Sequence, residues 1–427
     1  MSAPANTVEL LAKGIVNFTR GKKSITILLV GETGTGRTSL LALLINVLAG
    51  RSLAEYDLQP YDLKNEMGVS DTQTQTIHAK LYEFYSLNGV KIAVLDTPGF
   101  ADTRGLQRDK QHKDSIVTAI RDHISEVTAV IIVANGTTPR LGCTSDYAIS
   151  TLTSILPRSL ANNISIFFTH VSTPLAWSFD PDILPVELRH TKRFLLENPI
   201  AMRKKYLAVA QQEDLELLEE LEKAVNQSHR TALKALVNMF NWLDTVQPEP
   251  TAEIILLYDQ YMKIESDTST ILARMSQVSE KRNKLQNSIS SLEAIRLTAK
   301  AYENILGVPE AQKRYDEAIW QLNMTEVQIS AIQRDIDQIT AEIAWSTSNI
   351  GTLAERYSEL SLSGSFAVQL KKSVKLLEVH LQSTLAKGGD AETIKQIQAS
   401  LEQLKTKLAL LEQAAVAAKQ KISNHAG

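Results

Sequence analysis

The sequence predicts an α/β protein in two parts: a three-layer sheet domain first, then a long all-α region of antiparallel coiled coil or helical bundle. Three observations carry that expectation. Short β-branched apolar runs alternate with helical stretches over the first half, glycine and proline nearly vanish beyond Ile200, and three-four apolar spacing then persists toward the C-terminus. The expected boundaries are an N-terminal segment at 1–22, the sheet domain at 23–246 and the helical domain at 251–427.

With 427 residues, 44% of them hydrophobic, the chain can bury more than one core. Its 45 basic and 48 acidic residues leave a formal net charge of −3, so neither nucleic acid nor an anionic membrane is indicated as the main partner. The single cysteine, Cys143, excludes an intrachain disulfide and a cysteine-built zinc site, and suits a reducing compartment. Met1 to Gly21 lacks the basic start and apolar core of a secretory signal, although Val8 to Phe18 can form a short helix. No apolar run approaches the length of a membrane span. A soluble, cytoplasmic protein is expected.

Ile25 to Ser39, ITILLVGETGTGRTS, is a strand emptying into a glycine-rich turn and then a helix. Gly31, Gly34 and Gly36 let successive backbone N–H groups turn inward toward an anion, and the helix from Thr38 to Leu48 aims its N-terminal dipole at the same point. Against the P-loop pattern GxxxxGK[ST], Gly31, Gly36 and Thr38 fit, and Arg37 stands where lysine is expected. The whole loop (Gly31, Glu32, Thr33, Gly34, Thr35, Gly36, Arg37, Thr38, Ser39) is the predicted nucleotide cradle, with Thr38 also a Mg²⁺ ligand. Arginine is a longer planar fork than lysine. It binds phosphate bidentately but fits less readily under the loop, so binding is favoured over fast hydrolysis.

Arg51 to Asp71 is polar and irregular, the length and position of a nucleotide-sensing loop. It ends in Asp71-Thr72-Gln73-Thr74-Gln75-Thr76 before an alternating run, Ile77 to Tyr85, that reads as a strand. Thr76 is the favoured third Mg²⁺ ligand and Thr74 the second choice, while three threonines at alternate positions also suit a strand. Next comes Lys91 to Gly99, KIAVLDTPG. This buried strand delivers Asp96 to its carboxyl end, where open α/β sheets bind ligands, and there Asp96 can hold Mg²⁺ while the Gly99 N–H senses a γ-phosphate.

GETGTGRTS followed by LDTPGFADTRG resembles the TRAFAC-class GTPases, closest to the septin-like branch with the GIMAP-type immunity-associated and chloroplast import-receptor GTPases. The resemblance spans roughly Ser24 to Asn198. It implies GTP and GDP as ligands and a hydrophobic residue, Phe100, in place of a water-orienting glutamine. Hydrolysis would then be slow or need groups supplied across a dimer. Arg104 is the candidate for such a group, although a switch-loop arginine is also commonly just solvated. TAVIIVA at 128–134 and NISIFFT at 163–169 read as the next strands. The second leads to Thr169-His170-Val171-Ser172 instead of the family's [NT]KxD, so the guanine-binding aspartate is missing. The Thr-His pattern resembles the import-receptor version, which implies His170 on the purine; the other reading is an ordinary loop histidine. Phe194 to Leu196 can be a last strand, with Glu197-Asn198-Pro199 as a base-contacting loop.

Leu207 to Trp242 is amphipathic and is expected to pack on the sheet domain through Phe240 and Trp242, before Gln247-Pro248-Glu249-Pro250 breaks the chain. Beyond it, Ile271, Met275, Val278, Leu285, Ile289 and Leu292 form a seam interrupted by Arg282. The pattern resumes after Gly307-Val308-Pro309, again from Leu370, and again after Gly388-Gly389-Asp390. Two long helices around a short Gly-Pro turn favour an antiparallel hairpin, whether closed within one chain or between two. Two functions follow: a slow nucleotide switch, binding GTP or, as a lesser variant, ATP, that signals through a self-associating rod, or a pseudo-GTPase scaffold in which Arg37 and Ser172 mark lost chemistry.

Overall fold

The computed structural model describes residues 22–62, 64, 66–67, 75–99, 106–138, 143–171, 173–181, 184, 186–210, 215–303, 305, 307–362, 366–386 and 391–425. By contacts the chain divides into two units, Met1–Asp259 with Tyr357–Leu401, and Gln260–Arg356 with Glu402–Gly427.

In chain order the elements of the first unit are β1 (Ser24–Gly31), α1 (Arg37–Leu48), β2 (Glu66–Met67), β3 (Gln75–Thr76), β4 (Lys80–Tyr85), β5 (Lys91–Asp96) and α2 (Leu106–His123). There follow β6 (Glu126–Val127), β7 (Ala129–Asn135), α3 (Cys143–Thr153), β8 (Ile164–Thr169), β9 (Lys192–Leu196), α4 (Pro199–Ala210), α5 (Leu215–Thr245) and β10 (Glu249–Pro250). The remaining helices are α6 (Ala252–Glu303), α7 (Pro309–Leu360), α8 (Phe366–Ala386) and α9 (Ala391–His425).

Six strands form the main sheet in the order β4-β5-β1-β7-β8-β9, all parallel except the β4 edge. The apolar runs in β1, β5, β7 and β8 are buried on both faces, as parallel strands under two helical layers must be. The chain leaves β1 toward β5 on one side and returns to β7 on the other, so the C-terminal end of β1 is the point where strand order reverses. Register brings Gly31 beside Val133, Asp96 beside Leu29 and Asn135 beside Thr169, which puts the ends of the strands carrying the phosphate loop, the DTPG turn and Thr169 on one sheet edge. Ile77 to Ala79 do not join the strand expected at 77–85: β3 pairs with β2 in a separate ribbon and β4 begins at Lys80.

One layer of the core joins α1 to the apolar face of α5, where Leu236, Met239, Phe240, Trp242 and Leu243 are buried with Leu41, Leu44, Phe167 and Phe194. Phe240 and Trp242 therefore sit as their spacing predicted. The predicted sensing loop is anchored at its start. Asn46, fully buried on α1, donates to the Asp57 carbonyl at 2.7 Å and accepts from the Asp57 N–H at 2.8 Å. Tyr56 inserts into the core and meets His229 Nε2 of α5 at 2.8 Å, and Asp62 pairs with Lys80 of β4.

The far side of the sheet is completed by sequence from the C-terminal region. Tyr357, fully buried, donates its hydroxyl to the Ser154 carbonyl at 2.7 Å, the Leu362 N–H donates to Leu156 O at 2.9 Å, and Gln369 donates to Ser150 O at 3.3 Å. Helix α8 thus lies on α3. The periodicity that resumes at Leu370 reports a buried face, with Leu370 and Leu377 both enclosed, on a helix that packs against α3 within the first unit.

In the second unit α6 and α7 run antiparallel. Ion pairs link Arg274 to Glu342, Lys281 to Asp335 at 2.5 Å and Arg296 to Glu326 at 3.6 Å, with partners falling along one helix as they rise along the other. The expected break holds: α6 ends at Glu303 and α7 starts on Pro309, whose fixed φ suits a first helical position. Ile264, Ile271 and Val278, seven apart, are buried, while Met275, assigned to the seam by its spacing, is 44% exposed. Lys407 of α9 reaches Glu265 at 2.9 Å. Among the described residues no helix is long and apolar enough to cross a membrane.

Candidate functional site

The cradle is built by local backbone geometry. Gly34 and Gly36 take φ of 83° and 91°, the left-handed region that a Cβ disfavours. A Cβ at Gly31 would collide with the Val133 carbonyl, so β1 can approach β7 closely there only as glycine. Thr35 turns its hydroxyl back to the Glu32 carbonyl at 2.8 Å, and Thr169 at the end of β8 donates to the Thr35 carbonyl at 2.8 Å and shares the Ala134 carbonyl at 3.1 Å. Asn198 donates to the Ser39 carbonyl at 2.6 Å, which places the 197–199 loop against the first turn of α1. Glu32, Thr33 and Ser39 are half-buried around the loop.

Arg37 is buried and its Nη1 donates to the Gly31 carbonyl. The guanidinium therefore folds back against the end of β1. It also acts electrostatically on Asp96.

Three of the predicted metal-binding side chains converge. Thr38 donates its hydroxyl to Asp96 Oδ2 at 2.9 Å, and the Thr38 and Thr76 hydroxyls are 3.1 Å apart. Since Thr38 has spent its one proton on the carboxylate, Thr76 donates to Thr38. Thr97 ties the end of β5 to β1 through the Leu29 carbonyl at 2.7 Å. Asp96 is 1% exposed and its Oδ1 has no hydrogen-bond partner. Burial pushes its pKa up to about 6, against the opposing pull of the Arg37 charge and the Thr38 hydrogen bond. A buried carboxylate oxygen without a donor, beside two hydroxyls, is an all-oxygen set of the kind a hard cation takes, and Mg²⁺ fits it. Among the described residues no three His, Cys, Asp or Glu side chains gather, so a transition-metal site of those ligands is not formed there.

Gly99 lies directly against the loop: a Cβ on it would stand 2.6 Å from Thr33 Cα and 2.7 Å from Thr33 N. His112 Nδ1 of α2 donates to the Gly99 carbonyl at 2.8 Å. No sequence signal marks this buried histidine, which sits in an otherwise polar KQHKD stretch. His170 follows β8 with φ 61° and an exposed side chain, the one described non-glycine residue in the left-handed region. Thr74, Phe100, Arg104 and Ser172 lie outside the described residues.

Residues 26–164 match the family described as 50S ribosome-binding GTPase. Among solved structures, Toc33 from Arabidopsis thaliana in complex with Mg²⁺ and GMPPNP is similar at 15% identity, over 46% of this chain and 80% of that one, with a TM-score of 0.30. The chloroplast translocon components atToc33 and psToc159, in a structure on the importance of dimerization for their GTPase activity, give 18% identity over 46% and 78% of the chains, TM-score 0.34. LeoA, a bacterial dynamin GTPase from ETEC, gives 12% identity over 93% and 75%, TM-score 0.26. No curated protein matches the sequence. With the family match over its central strands and the glycine cradle and DTPG turn on one edge of its sheet, the first unit holds a G domain of the P-loop GTPase type.

Proposed function

We propose that the chain is a guanine-nucleotide-binding switch with slow or dimer-dependent GTP hydrolysis, read out through its helical region. One observation carries this reading above the scaffold alternative: Thr38, Thr76 and Asp96 meet beside the glycine cradle and leave Asp96 Oδ1 open. A chain that had lost nucleotide chemistry would have no use for a buried carboxylate oxygen without a donor, which costs free energy in any fold.

In this reading the backbone from Gly31 to Ser39 binds the phosphates, and Arg37 supplies the cation that a lysine supplies elsewhere. Thr38, Thr76 and Asp96 would hold Mg²⁺, which would neutralise phosphate charge when bound. Thr76 ties the metal site to β3 and so to the segment that reports a triphosphate. The Gly99 N–H faces the γ-phosphate, His170 packs on the base, and Thr169 holds the loop beneath it. Arg104, from the following DTRG, is the group a partner copy would lend to hydrolysis. Partners are then GTP, GDP and a second copy, in the cytoplasm.

Equilibrium binding of fluorescent GTP, GDP and ATP, with and without Mg²⁺, tests the reading. Micromolar or tighter Mg²⁺-dependent binding with guanine preference is expected, and Thr38→Ala is expected to abolish the Mg²⁺ dependence. A folded protein that binds none of the three is the scaffold.

A further inference from the structure

Helix α2 presents two polar side chains one turn apart, His112 and Ser115, to two separate stretches of the nucleotide edge. His112 Nδ1 donates to the Gly99 carbonyl at 2.8 Å, and the Ala79 N–H donates to Ser115 Oγ at 2.9 Å. Gly99 belongs to the DTPG turn, and Ala79 follows Thr76 by three residues. Both stretches are backbone outside regular strands at these points, so neither has a ladder partner to fix it. His112 is 4% exposed, and its neighbours Ile116, Val117 and Ile120 anchor the helix in the core at 1% exposure each. The imidazole is thus held by a rigid element, while Gly99 is stopped on its other side by the Thr33 backbone.

We propose that the His112–Ser115 face of α2 is a coupler: His112 is a positioning residue that sets the Gly99 peptide for the terminal phosphate, and Ser115 makes the Thr76 segment move with it. The proposal rests on the switch reading above. A γ-phosphate would touch the Gly99 N–H and, through the metal, Thr76; a diphosphate makes no contact with Gly99. The two hydrogen bonds to one helix make the ordering of either segment favour ordering of the other, which sharpens the difference between triphosphate and diphosphate.

The test measures affinities of the full chain for a non-hydrolysable GTP analogue and for GDP, both with Mg²⁺. His112→Ala is expected to weaken the analogue about tenfold and GDP less than about twofold, the size of one lost charge-free hydrogen bond at a sensing position. His112→Asn, whose Nδ2 stands near the imidazole Nδ1, is expected to restore the wild-type ratio. Ser115→Ala is expected to lower the ratio about threefold, and the double variant no further than His112→Ala alone. An unchanged ratio in His112→Ala, or equal losses for both nucleotides, overturns the coupler while leaving the switch reading standing. If His112→Ala does not fold, Ser115→Ala decides by the same ratio. A wild type that binds neither nucleotide overturns both readings at once.

Discussion

Phe167 in β8 and Ile329, at a three-four position of α7, are both apolar, yet the first is wholly enclosed and the second is only half-buried. The contrast runs through the two units. Around the sheet, two helical layers cover both faces, and Ile27, Leu29, Leu40, Leu41 and Phe167 have no exposure at all. In the second unit the seam residues Leu285 and Ile289 of α6, and Leu322 and Ile332 at three-four spacing in α7, stay half-buried, and Trp320, Val327 and Trp345 are 64%, 62% and 69% exposed. Two facing helices bury a stripe each, not a surface. The sheet unit draws its stability from closure, and the helical unit from length.

The largest expected effect breaks that comparison at the sheet domain's borrowed layer. A chain ending before Tyr357 should lose its cooperative thermal transition, because Ile155, Leu156 and α3 lose the cover of Tyr357, Phe366 and Leu370. Replacing 275–341 by a short glycine loop removes most of the hairpin, and should leave the sheet transition within a few degrees. Differential scanning calorimetry of the two deletions separates them, and a cooperative transition in the first would show that the sheet domain closes without α8.

Next in size are single truncations. Phe167→Ala should cost about 3–5 kcal/mol in urea unfolding, as deletion of a fully enclosed ring does, whereas Ile329→Ala should cost about 1 kcal/mol. Equal costs would mean that the seam is covered in solution, by a second copy.

Acid should also act on the first unit more than the second. Burial lowers the His229 pKa to about 4 from 6.5, so the native histidine stays neutral where the unfolded chain takes up a proton. Its contribution is complete above pH 6.5 and is lost as pH falls toward 4. Asp96, raised to about 6, works in the opposite sense over an overlapping range. A difference measurement isolates the histidine: between pH 7 and 5 the wild type should lose about 1–2 kcal/mol relative to His229→Gln. Parallel pH profiles would remove the buried state of His229 as the cause. Smallest of all, Arg274→Ala breaks a half-exposed ion pair between α6 and α7 and should change stability by less than about 0.5 kcal/mol.

The parts of this molecule that the sequence made legible are those whose chemistry is local. A strand, a glycine turn and a helix are contiguous, and Asp96 and Gly99 share one motif, so the cradle could be read from residue types alone. Thr76 is singled out as the residue before a strand at 77, but it lies in β3, four residues ahead of β4. The contacts that went unread join distant segments: Tyr56 with His229, His112 with Gly99, Asn46 with Asp57. None has a periodicity. The seam showed the complementary weakness, since three-four spacing states that a face is buried and is silent on its partner. Leu370 and Leu377 keep that spacing and lie in the sheet unit, while Ile271 keeps it and lies in the hairpin unit.

The hydrogen bond from Tyr357 to Ser154 closes a span of 203 residues. On a ribosome adding about 5–20 residues per second, α3 would wait roughly 10–40 s for the helix that covers it. The nascent G domain would spend that interval with one apolar face open, long enough for a chaperone to bind and for neighbouring nascent chains to meet. Expression yield, more than equilibrium stability, is where the order of this gene's segments would be felt.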